Sequence, residues 1–426
     1  MERLQFLTEA QVLELRARFG SPIYVYDEAT LRAQARIALA FPHAYGLRVR
    51  YAMKALPTGA ILRLFDSMGI HTDASSGFEA RRALAAGIAP SHIQITAQQM
   101  PDDLAELLDL GVLFNCCSLH QLDTYGRLRP GTDACVRINP GLGSGHSNRT
   151  NTGGPSASYG IWHGHLDEVF ATAQRHGLRI ARMHTHIGSG ADPEVWNRCA
   201  ILTLGVAAQM PEVELVSLGG GFKVARVAGE VSADLEEIGK RIAADVEEFH
   251  SRHGRKLRLE IEPGTFLVAN AGAVICTVID VVDTGPAGYS FIKVDSGMTE
   301  NPRPAMYGAQ HPLTVVAVEP GERPERDYVV AGHCCESGDI LTPEPGNPEG
   351  IRPRALKEAR IGDALVMGGA GAYCSGMACK NYNSFPESAE ILLTKSGPVV
   401  IRQRQLIEHM IQNELVMGSG ELRISG

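Results

Sequence analysis

The sequence has 426 residues, of which 44% are hydrophobic and 21% are charged, as in folded globular proteins. This length exceeds what one ordinary core supports and favours two or three domains, or a barrel with a smaller domain. A net charge of −8 argues against a nucleic-acid or anionic-membrane partner, because neither would be attracted to such a surface.

The N-terminus and the cysteines indicate a cytoplasmic protein. Residues 1–6 contain no cationic segment followed by an apolar one, and no apolar run has the length of a membrane span. The nine cysteines are scattered and include no Cys-x-x-Cys, so neither a disulfide framework nor a metal site is predicted. Most are expected to be buried and inert.

The predicted elements begin with a capped amphipathic helix over 8–19, a strand over 22–26 and a helix over 29–40. Apolar strands then alternate with helices. The eight strands are predicted at 48–53, 70–74, 92–96, 112–115, 134–138, 180–184, 213–218 and 257–261. Eight strands with helices between them predict an α/β fold, a (β/α)₈ TIM-type barrel.

Beyond Glu262 the pattern changes to short strands with little helix between them. They are predicted at 274–282, 289–294, 313–318, 327–331, 364–367, 390–393 and 399–402, with a surface loop over 342–354 and a final helix over 404–416. This part predicts a C-terminal all-β domain, sandwich-like or barrel-like. The expected division is a segment 1–27 whose strand joins the β domain, a barrel over 28–272 and the β domain over 273–426.

Lys54 directly follows the first barrel strand. The carboxyl ends of barrel strands form the functional face of such folds. A lysine amine over the open end of the sheet is partly desolvated, can lose its proton and can form a Schiff base. Considered alone, Lys54 would more often be a solvated loop lysine.

Residues at three other strand ends could bind the same ligand as such a lysine. Gly219, Gly220 and Gly221 can bring backbone N–H groups close to a phosphate. His186 can stack on a flat ring, and Glu262 can pair with a ring nitrogen and keep it protonated. Each has an ordinary structural interpretation as a turn, a structural histidine or a solvated carboxylate. Together they describe a site for pyridoxal 5'-phosphate.

With these residues in place, the sequence resembles the fold-type III pyridoxal-phosphate decarboxylases over almost its whole length. The matching motifs are Tyr51-Ala-Met-Lys54-Ala, His184-Thr-His-Ile-Gly-Ser-Gly190, Leu218-Gly-Gly-Gly-Phe222, Glu262-Pro-Gly264, Arg303-Pro-Ala-Met-Tyr307-Gly, Cys335-Glu-Ser-Gly-Asp339, Gly371-Ala-Tyr373 and Asn381-Tyr-Asn-Ser384. The resemblance implies a homodimer in which the β domain of one subunit completes its neighbour's site. It is greatest for members that decarboxylate meso-diaminopimelate at its D centre to give L-lysine and CO₂.

The resemblance also implies roles for individual residues. Lys54 would bind the cofactor covalently and His186 would stack on its ring. The other cofactor contacts would be Asp73 and Arg137 beneath it, Gly219, Gly220, Gly221 and Gly264 near the phosphate, Glu262 at the ring nitrogen, and Tyr373, which also faces substrate. The substrate side would comprise Arg303 and Tyr307 at the distal end, Thr265, and Cys335 with Glu336, where Cys335 returns a proton to the decarboxylated carbon.

Two positions depart from the family pattern. Thr265 and Phe385 stand where arginine is usual, and each charge-assisted contact to a distal carboxylate contributes about 1.5–3 kcal/mol. Arg303 remains to make one. The alternatives are therefore meso-diaminopimelate, a D-amino acid without the distal carboxylate such as D-lysine or D-ornithine, or a non-catalytic carrier of pyridoxal phosphate.

Overall fold

The computed structural model describes residues 3–142, 153–186, 188 and 190–415. The glycine-rich segment 141–154, whose place at a strand end predicts that it covers the substrate, lies largely outside these residues. Ile187 and Ser189 of the His184–Gly190 motif also lie outside them. The chain forms two compact units. The barrel unit comprises Asp27–Ala273 and Gly368–Gly376, and the β unit comprises Met1–Tyr26, Val274–Met367 and Met377–Gly426. In the described part of the chain, no helix is both long and apolar enough to cross a bilayer.

The first elements are held by side-chain caps. Helix α1 (Glu9–Phe19) starts at a capping box, in which Thr8 and Gln11 each accept a hydrogen bond from the other's backbone N–H. Strand β1 is Ile23–Asp27. Asp27 then caps α2 (Glu28–Leu39) by accepting the N–H of Thr30 at 2.8 Å. Each cap satisfies an N–H group that the first helical turn leaves unpaired.

Eight parallel strands close into a barrel, as the sequence predicted. They are β2 (Leu47–Ala52), β3 (His71–Ala74), β4 (Ile93–Ile95), β5 (Leu113–Cys116), β6 (Asp133–Asn139), β8 (Arg179–His184), β9 (Leu215–Ser217) and β10 (Arg258–Ile261). Pairing of β10 with β2 and of β5 with β6 completes the ring. The two-residue strand β7 (Ile161–Trp162) pairs with β6 outside it.

A helix follows each of the eight barrel strands, as the alternation in the sequence predicted. These helices are α3 (Gly59–Asp66), α4 (Gly77–Ala85), α5 (Leu104–Asp109), α6 (Leu119–Leu128), α7 (Leu166–His176), α8 (Pro193–Ala208), α9 (Leu235–His253) and α10 (Thr265–Val268). In α9 the buried positions Leu235, Ile238, Ile242, Val246 and Phe249 recur every three or four residues. This period places one apolar stripe against the barrel, which is why the sequence pattern predicts a helix here.

The β unit is built on a nine-stranded sheet. Its C-terminal strands are β11 (Gly272–Asp283), β12 (Ser290–Val294), β13 (Leu313–Val316), β14 (Glu325–Ala331), β17 (Arg354–Lys357), β18 (Ala364–Met367), β19 (Ala389–Thr394) and β20 (Gly397–Arg402). Strand β1 lies between β11 and β19, and β18 pairs with both β11 and β13. The short helix α11 is Arg303–Tyr307 and α12 is Ile407–Ile411.

Two local predictions in the β unit were wrong. Residues 342–354 are not only a loop, because β15 (Pro343–Glu344) and β16 (Asn347–Ile351) form a hairpin within them. Their proline, glycine and glutamate content resembles that of a loop, but the turn at Gly346 has φ +76°, which suits a tight hairpin. The final helix is also shorter than predicted, and residue 416 lies outside the described part.

Candidate active site

Lys54 lies at the mouth of the barrel, the end formed by the carboxyl ends of its strands. It belongs to a single 3₁₀ turn, Met53–Ala55, that follows β2 directly. The Ala52 N–H donates to Pro263 O at 3.3 Å, which joins this strand end to the end of β10. The Lys54 side chain keeps access to solvent through the barrel mouth, although protein atoms and charged groups crowd around its amine and partly desolvate it.

The pKa of Lys54 differs from what the sequence argument predicted. Burial lowers this pKa, but Tyr373, Asp73 and Glu262 raise it. Their sum exceeds the opposing effects of burial and of the Arg137 guanidinium, so the pKa of Lys54 is above its ordinary value. The expectation of a lysine that loses its proton through desolvation was therefore wrong, because acidic neighbours stabilise the ammonium form.

Glu262 and Asp73 lie at the ends of β10 and β3, and both are buried. Nε2 of Gln94 is 3.3 Å from Oδ1 of Asp73 and 3.3 Å from Oε1 of Glu262, so one amide group contacts both side chains. Thr96 Oγ1 also donates to Asp73 Oδ1 at 2.7 Å. The two carboxyl groups form one pair beneath the barrel mouth.

The two carboxyl groups of this pair titrate in opposite directions. Burial, followed by the charge of Glu262, raises the pKa of Asp73 to about 8. Burial opposes ionisation of Glu262 too, but the His184 charge and hydrogen bond hold the pKa of Glu262 well below its usual range. Nε2 of His184 lies 2.8 Å from Oε2 of Glu262, and Ser217 Oγ donates to Oε1 at 3.0 Å. Glu262 therefore carries the negative charge while Asp73 stays protonated at neutral pH.

His186 and the glycine segment contact each other. The Gly220 N–H donates to Nδ1 of His186 at 3.1 Å, so Nδ1 acts as an acceptor. Burial, together with the charges of Arg137 and Lys54, lowers the pKa of His186 well below its ordinary value. The imidazole is therefore neutral, with its proton on Nε2. A neutral ring is sufficient for stacking on a flat partner.

Side chains would not fit on the glycine segment. A Cβ on Gly220 would lie 2.1 Å from Glu262 O, and a Cβ on Gly219 would lie 2.5 Å from Nδ1 of His186. Gly219 and Gly221 also have φ of +69° and +103°, which favour glycine. The segment thus needs glycine for its packing and for its backbone conformation.

The barrel unit contains four more of the predicted site residues, Arg137, Gly264, Thr265 and Tyr373. Arg137 lies on β6 with its guanidinium 5.0 Å from the centre of the Tyr159 ring. Thr265 begins α10 directly after Gly264. We assigned Tyr373 to the β domain from sequence, whereas its segment belongs to the barrel unit, where its N–H donates to Ala55 O at 2.8 Å.

The remaining predicted residues lie in the β unit. Arg303 and Tyr307 are the first and last residues of α11, one turn apart. Cys335 is exposed, whereas the neighbouring Cys334 is buried, and both lie in a bend of the chain. The Cys335 N–H donates to Oδ1 of Asn383 at 2.8 Å.

Phe385, one of the two departures from the family pattern, has a structural partner. Its ring stacks on the His333 imidazole, with centroids 3.6 Å apart and an interplanar angle of 7°. His333 stands two residues before Cys335 in the chain. The phenyl ring therefore packs on the segment that carries Cys335 and Glu336. An arginine at this position would place a positive charge there instead.

Several residues of the site were not predicted from the sequence. Gln94, His184 and Ser217 contact the paired carboxyl groups, and Glu79 accepts the Ser75 N–H at 2.7 Å beside the end of β3. The sequence signal for Gln94 and His184 is alternation, since Gln94 stands between Ile93 and Ile95 and His184 follows Met183 on its strand. Such a pattern marks an inward-facing polar position but does not name its partner.

The residues at the barrel mouth fit pyridoxal phosphate. A lysine amine, a glycine segment too crowded for side chains, a neutral imidazole and an ionised carboxylate lie on neighbouring strand ends. They offer a covalent attachment point, donors for a phosphate, a surface for a flat ring and an anion for a ring nitrogen. The described residues thus supply every kind of contact that this cofactor needs.

Comparison with known proteins gives the same result. The family described as "Pyridoxal-dependent decarboxylase, pyridoxal binding domain" matches residues 29–269. The chain is 38% identical over 411 residues to the diaminopimelate decarboxylase of Streptomyces coelicolor, covering 94% of this chain and 91% of that protein. It is 37% identical over 426 residues to the diaminopimelate decarboxylase of Escherichia coli strain K12, covering 96% and 97%.

Solved structures agree with this similarity. A crystal structure of diaminopimelate decarboxylase superposes with a TM-score of 0.90 at 36% identity, covering 97% of this chain and 98% of that chain. The diaminopimelate decarboxylase of Helicobacter pylori, complexed with L-lysine, gives a TM-score of 0.82 at 26% identity, covering 94% and 98%.

Proposed function

The chain belongs to the pyridoxal-dependent decarboxylase family, and from that premise we propose that it decarboxylates meso-diaminopimelate at its D centre to give L-lysine and CO₂. Family membership confirms the predicted resemblance, the barrel with its β domain and the pyridoxal phosphate cofactor. It also makes the chain an enzyme, so the carrier alternative is no longer favoured.

The observation that carries the proposal is the ionised Glu262 among its hydrogen-bond donors. His184 and Ser217 hold both of its oxygens, and burial prevents water from screening its charge. A carboxylate fixed here favours a protonated pyridine nitrogen. When bound, pyridoxal phosphate supplies a conjugated ring that accepts the electron pair left as CO₂ departs, and it does so best with that nitrogen protonated.

The other barrel residues would bind and orient. Lys54 would hold the cofactor through its amine. The segment Gly219, Gly220 and Gly221 would lie at the phosphate, with Gly264 close by. The N–H groups of Gly219 and Gly220 already donate to Ser217 Oγ at 3.2 Å and to Nδ1 of His186 at 3.1 Å, so they would have to exchange these partners to reach the phosphate. His186 supports the ring face, Asp73 and Arg137 hold the floor of the site, and Tyr373 contacts cofactor or substrate.

Residues of the β unit would act on the substrate. Arg303 binds the distal carboxylate as a charge-assisted donor, with Tyr307 beside it and Thr265 as a further polar contact. Nε of Arg303 is buried and has no hydrogen-bond partner among the described residues. Such a donor costs free energy unless it is satisfied, and a substrate carboxylate would satisfy it.

Cys335 would return the proton to the carbon that loses CO₂. The C–C bond breaks, CO₂ leaves, the thiol proton passes to that carbon, and water later restores the thiol proton. Cys335 is exposed and Glu336 follows it, whereas burial raises the pKa of Cys334 to about 12. The exposed cysteine of the two is therefore the better placed proton donor.

We infer a homodimer in which each barrel uses Cys335 of the partner subunit. A mixing experiment tests this directly, since Lys54→Ala and Cys335→Ala proteins would each be nearly inactive. Mixed and re-equilibrated, they should regain activity only if Lys54 and Cys335 of different chains form one site.

We also place the enzyme in the cytoplasm, because all nine cysteines are free.

A decarboxylase of D-lysine or D-ornithine is the second candidate. It is favoured by Thr265 and by Phe385, whose ring packs on His333 instead of offering a cation. Two fewer cations weaken selection for a substrate with a distal carboxylate.

Release of CO₂ by the purified protein with pyridoxal phosphate separates the candidates. We expect faster turnover of meso-diaminopimelate than of D-lysine or D-ornithine, and loss of turnover in Lys54→Arg, which keeps the charge but cannot form the covalent bond. Preference for a D-diamine would replace the substrate assignment. Full activity of Lys54→Arg would contradict a mechanism in which the Lys54 amine binds the cofactor covalently.

A further inference from the structure

One layer below the carboxyl pair, the barrel interior holds charged side chains. Barrel interiors are usually filled by bulky branched residues. Here Arg50, Gln94 and Glu260 are fully buried, and Arg182 is mostly buried. Gln94, Arg182 and Glu260 each stand two residues before Thr96, His184 and Glu262 on the same strand, so alternation points them to the same interior.

This layer contains more positive than negative charge. Arg50 Nε lies 2.8 Å from Oε2 of Glu260, and Arg182 Nη2 lies 3.2 Å from Oε1 of Glu260. One buried carboxylate thus faces two buried guanidinium groups. The remaining positive charge lies next to the carboxyl pair above it, and Glu262 is among the charges that stabilise the cationic form of Arg182.

Gln94 connects the two layers. Its Oε1 accepts a hydrogen bond from Nη2 of Arg182. Its Nε2 lies 3.3 Å from an oxygen of Asp73, of Thr96 and of Glu262. The amide therefore faces a cation with its acceptor and the carboxyl pair with its donor.

This orientation of the amide follows from the chemistry of its neighbours. If the amide were reversed, its NH₂ group would point at the guanidinium, which is only a donor. Its oxygen would then point at the two carboxyl groups and repel the ionised one. Both contacts would be lost in a buried place, so Arg182 fixes which end of Gln94 reaches the carboxyl pair.

We propose that Arg182 and Gln94 are positioning residues that orient the Asp73–Glu262 pair, whose ionised member Glu262 faces the cofactor nitrogen, and that stabilise the single negative charge of the pair. The inference rests on the proposed function for the role of Glu262. A hydrogen bond from an amide polarised by a guanidinium is stronger than one from an isolated amide. The pair would thus extend control of the cofactor ring into the barrel core.

Other groups that face the carboxyl pair must be considered in any pH measurement. From the surrounding strand ends these are Lys54, Cys117, Cys135, Arg137, Arg182, His184 and His186. All of them remain unchanged in a Gln94 variant. A shift in that variant therefore reports the amide contact itself.

The test is the dissociation constant of pyridoxal phosphate as a function of pH for the native protein, Gln94→Leu and Arg182→Met. We expect the acidic midpoint, where affinity falls by half, to move up by about one pH unit in both variants, since one lost hydrogen bond corresponds to about tenfold in protonation. Arg182→Lys, which keeps a donor and a charge, should move the midpoint less than Arg182→Met.

Gln121→Leu is the matched control. Gln121 is a buried glutamine of the same barrel, and its Nε2 donates to Ala97 O at 3.1 Å and to Gln98 O at 3.2 Å. Its Oε1 accepts the backbone N–H of Cys117 at 2.7 Å, and its hydrogen-bond partners among the described residues include no carboxylate. This variant should lose stability without moving the midpoint. If Gln94→Leu does not fold, Gln94→Met, which keeps the unbranched shape, takes its place.

The outcomes separate the two proposals. A native protein that binds no pyridoxal phosphate would refute the proposed function. A native protein that binds and turns over substrate, with midpoints in the Gln94 and Arg182 variants equal to that of Gln121→Leu, would overturn the positioning role alone.

Discussion

Nε2 of His184 lies 2.8 Å from Oε2 of Glu262, with both groups almost completely buried in the barrel. Because water is excluded, this contact decides the ionisation of the carboxylate that faces the site. The neighbouring Asp73 carboxyl, which has no such partner among the described residues, is driven the other way by burial. Two similar groups thus take opposite roles because of their surroundings.

Replacing His184 should cost much more stability than replacing an exposed histidine. His184→Leu leaves the Glu262 charge buried without its ionic partner, so we expect a loss of about 3–5 kcal/mol near neutral pH. The low folded-state pKa of Glu262 contributes stability above its ordinary value of 4.5, and this contribution is lost as pH falls. The difference between variant and native protein should therefore shrink in acid. Urea unfolding at several pH values measures it.

His92→Leu is the control for this experiment. His92 makes a 2.7 Å contact to Asp66, but both side chains are partly exposed. Such a contact contributes about 0–1 kcal/mol. Equal losses for the two histidine variants would contradict the importance of the buried pair.

Asp73→Asn should flatten the pH dependence of stability. The pKa of Asp73 rises from 3.8 to about 8 on folding, so the native state holds a proton that the unfolded chain releases in this window. Native stability should thus fall by roughly 3–4 kcal/mol from about pH 5 to about pH 8 through this group alone. The asparagine variant lacks this term. Urea unfolding of the cofactor-free protein tests it, and parallel pH curves for the two proteins would refute it.

Cys335→Ala should slow turnover without weakening the cofactor site. Loss of a positioned proton donor lowers kcat by about 10²–10⁴-fold, while the dissociation constant of pyridoxal phosphate should stay within twofold. The neighbouring Cys334 supplies the control, because Cys334→Ala removes a buried side chain and should lower stability while retaining kcat. Comparable kcat values for the two variants would exclude the proton-donor role.

Gly220→Ala should abolish cofactor binding. The new Cβ would lie 2.1 Å from Glu262 O, a backbone atom that cannot move aside cheaply, so we expect a loss of several kcal/mol or a displaced glycine segment. Gly205→Ala, on α8 with nothing within 4 Å of its Cβ, should instead stabilise the protein by about 0.5–1 kcal/mol. Thermal unfolding and cofactor titration distinguish the two.

Strand and helix positions were predictable because burial imposes a period on the sequence. Each of the eight barrel strands lies within two residues of its predicted position. The hairpin at Pro343–Ile351 was missed because its exposed strands carry turn-like residues and show no apolar alternation. Propensity is informative mainly where one side of an element is buried.

The sequence by itself determined the barrel, the β domain and the residues at the strand ends, including Lys54, because these follow from local periodicity and motifs. Only the tertiary structure decided how they are partnered. Glu262 and His184 are 78 residues apart in the chain, Gln94 and Arg182 are 88 apart, and neither local pattern names the other. It also decided the direction of the Lys54 pKa, since that depends on the balance between burial and the charges that folding brings around the amine.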